Sequence, residues 1–177
     1  MRPTYQADIL QLYQTTCDIL EILNPSHIII GPGPGTPSDS LLSKAISTHA
    51  LAQQIDCSVL GICLGHQSIA EMANGAVVKS PNGAVHGTPI LCHHDGKGIF
   101  EGLNSPQPFT RYNSLTVNID EDSSPLSISA RDENGEIMAL QHNSLPIFSV
   151  QFHPESIGSP NGKKLLENFL GFNRMLE

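Results

Sequence analysis

Ser58-Val59-Leu60-Gly61-Ile62-Cys63-Leu64-Gly65-His66-Gln67-Ser68-Ile69-Ala70-Glu71-Met72 reads as the end of a buried strand that turns sharply into a helix, with one cysteine between two glycines at the turn. A turn of this kind lifts a side chain out of the fold and offers it to a substrate. Cys63 stands close to a helix N-terminus, where unpaired backbone N–H groups and the helix dipole favour a thiolate. Gln67 follows one helical turn later, so both side chains can face one hollow.

Outward from this turn, the first half alternates strand-like and helix-like segments. Ala7 to Tyr13 reads as a strand, Cys17 to Leu23 as a short helix closed by Asn24-Pro25, and Ser26 to Ile30 as a β-branched strand feeding the loop Gly31-Pro32-Gly33-Pro34-Gly35. Leu41, Leu42, Ala45, Ile46, His49 and Ala52 recur at helical spacing, with Ser38 to Ser40 offering caps. The second half, from Gly75 to Phe152, reads mainly as strands. Turns are signalled at Pro81-Asn82-Gly83, Asp120 to Pro125 and Asn134-Gly135, the last a hairpin between Ser127 to Arg131 and Ile137 to Gln141. A final helix starts at Ser159-Pro160 and carries Leu165, Leu166, Phe169 and Leu170 on one face. The expected fold is α/β: a mostly parallel central sheet flanked by helices, with a strand-rich second half, in a single domain over residues 1–177.

A thiolate needs a base and a group to hold that base. His153-Pro154-Glu155 follows the apolar run Ile147 to Phe152, and proline biases His153 toward extended backbone. Residues two apart in an extended segment share a side, roughly 6 to 7 Å from each other. Glu155 can then hold one ring nitrogen of His153 while the other faces Cys63, the nucleophile, base and orienter arrangement of a triad. The elbow resembles that of G-x-S-x-G hydrolases with cysteine in place of serine, and there the N–H of the residue after the nucleophile, here Leu64, meets the oxyanion.

Gly33-Pro34-Gly35, Gly61 to Gln67 and His153-Pro154-Glu155, in that order, resemble the triad-type (class I) glutamine amidotransferases. Within them, Gly31 to Pro37, His94-Asp95-Gly96-Lys97-Gly98 and Arg111-Tyr112-Asn113-Ser114-Leu115 resemble the glutaminase subunits of anthranilate synthase and aminodeoxychorismate synthase, from about Asp8 to the C-terminus. The resemblance implies that Cys63 attacks the side-chain amide of L-glutamine, with His153 moving the proton and Glu155 holding its tautomer. It implies an oxyanion hole from the N–H groups of Leu64 and Gly35, and glutamine recognition by Gly33, Pro34, Gly35, Gln67, Ser114 and Leu115. It further implies a hetero-oligomer with a chorismate-binding synthase subunit that receives the ammonia, and neither cofactor nor metal. A glutaminase serving another amidotransferase system, a noncatalytic partner-binding module and a cysteine peptidase are the rival readings.

The chain also departs from these relatives. They open with a hydrophobic strand, an Asn-Tyr-Asp-Ser-Phe loop and a helix that have no counterpart here; either the sheet is expected to carry an exposed or rearranged edge, or the chain's start is misplaced or truncated. His86-Gly87-Thr88-Pro89 has threonine where lysine is common, and Asn113 stands where histidine is usual.

Composition fits a soluble enzyme. The 177 residues are 39% hydrophobic and 15% charged, enough for one substantial core. A formal net charge of −8 opposes nucleic acid and anionic membranes as partners. No apolar run reaches the roughly 18 residues of a membrane span, and the N-terminus has no signal-peptide core, so the expected location is cytoplasmic. Cys17, Cys57, Cys63 and Cys92 lack the density of a disulfide scaffold. The Gly31 to Gly35 loop lacks the Lys-Ser/Thr pair of a P-loop. Cys92-His93-His94-Asp95 puts neighbours on opposite strand faces, with no second ligand cluster following, so no metal site is read there.

Overall fold

The computed structural model describes residues 4–172. From Thr4 to Leu23 the chain forms one helix, α1, not the strand and short helix expected over Ala7 to Tyr13 and Cys17 to Leu23. The physical reason is a stripe at helical spacing: Ile9, Leu12, Tyr13, Thr16, Cys17 and Leu20 are its partly or fully buried positions. No breaker interrupts that stripe before Asn24-Pro25. The inner face lies on helix α2 (Leu41–Leu51), where His49 Nε2 sits 2.8 Å from the Tyr13 carbonyl. Leu10, Ile19, Ile22 and Leu23 face outward and are exposed.

Strands β1 (His27–Ile30), β2 (Ser58–Ile62) and β9 (Ile147–Val150) pair in parallel. The sheet continues antiparallel through β8 (Ile137–His142), β7 (Leu126–Asp132), β4 (Val85–His94) and β5 (Gln107–Asn113), giving the order β1-β2-β9-β8-β7-β4-β5. The α/β class stands, with the parallel part confined to β1, β2 and β9 and the strand-rich second half supplying the antiparallel part. The Asn134-Gly135 hairpin joins β7 to β8, with Gly135 at φ +83°. A separate two-stranded sheet pairs β3 (Ala76–Lys79) with β6 (Leu115–Asn118). Among the described residues no strand precedes β1, which lies at the sheet edge with Ile29 exposed.

Alternation along the strands separates two apolar cores. Leu60 and Ile62 of β2 join Phe148, Val150, Phe109 and Phe152 on one face, where the Phe109 and Phe152 rings stack at 4.0 Å. Helix α4 (Gly162–Leu170) covers that face through Leu165 and Phe169. It starts two residues after the expected Ser159-Pro160, and Leu170 is exposed rather than part of the buried stripe. Val59, Ile147 and Leu140 point to the other face, with Ile69 and Ala70 of helix α3 (Leu64–Met72). In α2, Ala45 and His49 are buried, whereas Leu42 is exposed. No described helix is long and apolar enough to cross a membrane.

Helix α3 lies so close to the strands that Gly65 touches β1: a Cβ there would run into the Ile30 carbonyl. Backbone cannot swing aside as a flexible side chain would, so Gly65→Ala is expected to lower stability by about 3 kcal/mol. Urea denaturation checks it, and an unchanged midpoint would contradict this packing.

Candidate active site

The strand-to-helix turn places Cys63 at φ 52° and ψ −100°, a sparsely populated conformation that the surroundings must hold. The Cys63 N–H donates to the Val150 carbonyl of β9 at 2.9 Å, and the Gln67 N–H donates back to the Cys63 carbonyl at 3.1 Å. Cys63 is therefore anchored on both sides of its turn. Its side chain reaches a cavity of about 170 Å³ lined by Gly33, Pro34, Gly35, Cys63, Gln67, Tyr112, Asn113, Ser114 and Leu115. Larger hollows exist, such as one of about 280 Å³ beside Lys79 and Arg131, but its lining holds neither a cysteine nor a histidine.

The cavity brings together residues from distant parts of the chain. The Gly33-Pro34-Gly35 loop follows β1, and Gly35 has φ +86°, an angle that glycine adopts without strain. Downstream, the Thr36 N–H and hydroxyl each donate to Asp39 Oδ2 at 2.8 Å, pinning the loop. Those hydrogen bonds hold the Asp39 carboxyl below its ordinary pKa. Ser114 and Leu115 lie at the junction of β5 and β6. Gln67 is almost fully buried and donates its Nε2 to Gln151 Oε1 at 3.1 Å, which leaves its carbonyl oxygen as the group open to a ligand.

His153 and Glu155 follow β9, the strand beside β2, so nucleophile and histidine emerge at the same end of neighbouring parallel strands. His153 Nδ1 is 2.7 Å from Glu155 Oε1; the two meet across a turn at Pro154-Glu155, closed by the Ser156 N–H donating to the His153 carbonyl at 3.2 Å, and not along the extended segment expected. The His153 N–H donates to the Thr110 carbonyl at 2.8 Å, and Ser159 Oγ donates to the His153 carbonyl at 2.6 Å. His153 Nε2 is buried and makes no hydrogen bond. The Tyr112 ring, part of the cavity wall, meets the imidazole edge-on at 5.1 Å. His153, Glu155 and Leu64 thus border the cavity region without lining it.

Burial raises the Cys63 thiol above its ordinary pKa. The Leu64 N–H and the Gln151 side chain oppose the shift, and the Glu155 carboxylate reinforces it. The thiolate expected from the helix N-terminus is therefore outweighed by desolvation in the free chain. His66, three residues from the nucleophile, has its pKa pushed down to about 3 by burial and sits 2.9 Å from Ser149 Oγ through Nδ1. It stays neutral near pH 7.

Two contributions were not apparent from the sequence. Tyr112 and Asn113 line the cavity between residues singled out for recognition, and strand alternation around Ser114 was the available signal. Asn113 Nδ2 donates to the Leu115 carbonyl at 2.5 Å, and Asn113 Oδ1 accepts from Arg111 Nε at 2.8 Å. The second is Gln151, a fully buried amide in the mostly apolar run from Ile147 to Phe152.

Residues 4–171 match the family described as Glutamine amidotransferase class-I. The Aminodeoxychorismate/anthranilate synthase component 2 of Bacillus subtilis (strain 168) is 43% identical over 155 residues, which cover 88% of this chain and 78% of that protein. The Bifunctional protein TrpGD of Thermotoga maritima is 39% identical over 172 residues, 96% of this chain and 28% of that longer protein. A solved protein of Thermoplasma acidophilum, described as belonging to a GMP synthase, superposes with a TM-score of 0.75 over 90% of this chain and 77% of its own. At 22% identity that likeness concerns the fold alone. With a cysteine elbow, a histidine–glutamate pair and a match over nearly all its length, the chain belongs to the class I glutamine amidotransferases.

Proposed function

We propose that this chain is a glutaminase subunit, a single amidotransferase domain that hydrolyses L-glutamine and hands ammonia to a chorismate-using synthase. The observation that carries the reading is the amino-acid-sized cavity in which Cys63 meets the Gly33 to Gly35 loop, Gln67 and the Ser114-Leu115 segment. Cys63 Sγ attacks the side-chain carbonyl carbon of glutamine, and its proton passes to His153 Nε2. Glu155 at Nδ1 holds the tautomer that can accept it and supports the imidazolium. The tetrahedral oxyanion is met by the N–H groups of Leu64 and Gly35. His153 then protonates the departing nitrogen, ammonia leaves, and a glutamyl thioester remains. Water activated by the same imidazole cleaves the thioester, releasing glutamate and restoring the thiol.

The named components among the relatives support a chorismate-using partner over other synthetases. A cytoplasmic location belongs to the same proposal, because a catalytic thiol needs a reducing compartment. One observation favours weak activity in the free chain: Sγ and Nε2 make no hydrogen bond in this structure, and burial keeps the thiol protonated. Docking of the synthase would then tighten the pair. The expected result is slow glutamine-dependent ammonia release by the chain alone and a severalfold rise with the large subunit of an anthranilate or aminodeoxychorismate synthase. Background rates with every partner, equal to those of Cys63→Ala, would leave only a partner-binding module.

A further inference from the structure

We propose that Gln151 is a donor to the Cys63 thiolate, and that Gln67 acts through it by fixing which way its amide faces. This rests on the reading of Cys63 as the nucleophile. The placement follows from the sheet: Ile62 of β2 pairs with Val150 of β9, and the Cys63 N–H donates to the Val150 carbonyl at 2.9 Å. One step further along both strands sets Gln151 beside Cys63. The Gln151 backbone is held there by its N–H donating to the Met138 carbonyl at 2.9 Å.

The orientation of the amide is the telling feature. Gln151 is fully buried, and its Oε1 accepts from Gln67 Nε2 at 3.1 Å. That contact turns Gln151 Nε2 away from Gln67, and Nε2 is buried with no hydrogen-bond partner. Buried amide donors rarely stay unpaired in a native fold, so this one calls for an acceptor. A thiol is a poor acceptor and a thiolate a strong one, so the donor gains its partner only as the nucleophile ionises. Burial raises the Cys63 thiol, the Leu64 N–H and the Gln151 side chain oppose the shift, and Glu155 reinforces it. With Glu155 needed at His153 and desolvation built into the turn, a neutral donor offsets both without placing a second charge beside the imidazole.

The test is the pH dependence of Cys63 alkylation by iodoacetamide, followed on the Cys63 peptide by mass spectrometry, with glutamine hydrolysis measured alongside. Gln151→Met keeps the volume and removes the donor, Gln151→Glu keeps the shape and adds a carboxylate, and Gln67→Met frees the amide to turn. The alkylation midpoint is expected to move up by about one pH unit in Gln151→Met, a roughly tenfold loss of thiolate at fixed pH. The shift should be larger in Gln151→Glu and smaller in Gln67→Met. In hydrolysis, kcat should fall in Gln151→Met while KM holds. An unchanged midpoint in folded Gln151→Met overturns the proposal, and if that variant does not fold, an unchanged midpoint in Gln67→Met overturns it instead. A shifted midpoint in a wild-type background that releases no ammonia supports the donor and removes the glutaminase reading. An unshifted one with active wild type removes the donor and leaves that reading standing.

Discussion

Cys63→Ala is expected to cut glutamine hydrolysis by at least about 10³-fold, because without the sulfur no thioester forms and the reaction loses its two-step path. The variant should keep its fold: Cys63 is a small, buried side chain, and its replacement leaves the Val150 and Gln67 backbone anchors in place. Ammonia release should therefore collapse while glutamine binding and the unfolding midpoint stay near those of wild type. Wild-type activity in Cys63→Ala would exclude nucleophilic catalysis by this turn. The intact enzyme should show a matching pH dependence. Burial raises the Cys63 thiol, so its thiolate is scarce at neutral pH and grows as pH rises. Alkylation of Cys63 should accordingly climb at higher pH than that of a solvated thiol.

Arg111→Met should have the largest effect on stability, a loss of about 3 to 5 kcal/mol. Arg111 is almost fully buried at the end of β5, with Nη1 3.0 Å from Asp132 Oδ2 and Nη2 2.5 Å from Glu136 Oε2. Glu136 also accepts from Ser80 Oγ at 2.7 Å and Asn82 Nδ2 at 2.8 Å. Burial alone would raise the Glu136 pKa, but the hydrogen bonds from Ser80, Asn82 and Arg111 outweigh it and hold the carboxyl below its ordinary value. With the folded pKa lowered, the contribution of Glu136 in wild type is present above the unfolded pKa and is lost as pH falls through the folded one. Removing the guanidinium leaves the Glu136 carboxylate buried with only the Ser80 and Asn82 hydrogen bonds to offset its desolvation, so the variant should lose less stability than wild type on acidification. Chemical denaturation at pH 5 and pH 8 should show the deficit narrowing at the lower pH. Adding Asp132→Asn and Glu136→Gln should restore part of it.

The same cluster reaches the cavity. Arg111 Nε holds Asn113, and Asn113 holds the Leu115 carbonyl, so Arg111→Met should also raise the KM for glutamine. Asn113 supplies both an acceptor and a donor from one amide.

Much of the site was legible in the residues because its chemistry is local. The glycines around Cys63, the two-residue spacing of His153 and Glu155 and the prolines of Gly33-Pro34-Gly35 act through backbone angles that a few neighbours dictate, and the structure places them at one end of the sheet. The hairpin at Asn134-Gly135 was legible for the same reason. The first helix was not, since Ala7 to Tyr13 alone satisfies either period and only the whole stripe from Ile9 to Leu20, packed on α2, selects the helix. The parallel share of the sheet was likewise a matter of which strands meet, and β9 reaches β2 only after the chain has built four antiparallel partners.

By itself, then, the sequence determined the candidate reactive groups and the turns that present them, because bond geometry and side-chain chemistry need no distant neighbour. Tertiary structure decided their state: burial lifts the Cys63 thiol, silences His66 and leaves the Gln151 donor facing the sulfur. Desolvation and pairing depend on what the fold brings alongside, and residues far apart in the chain carry no mark of it.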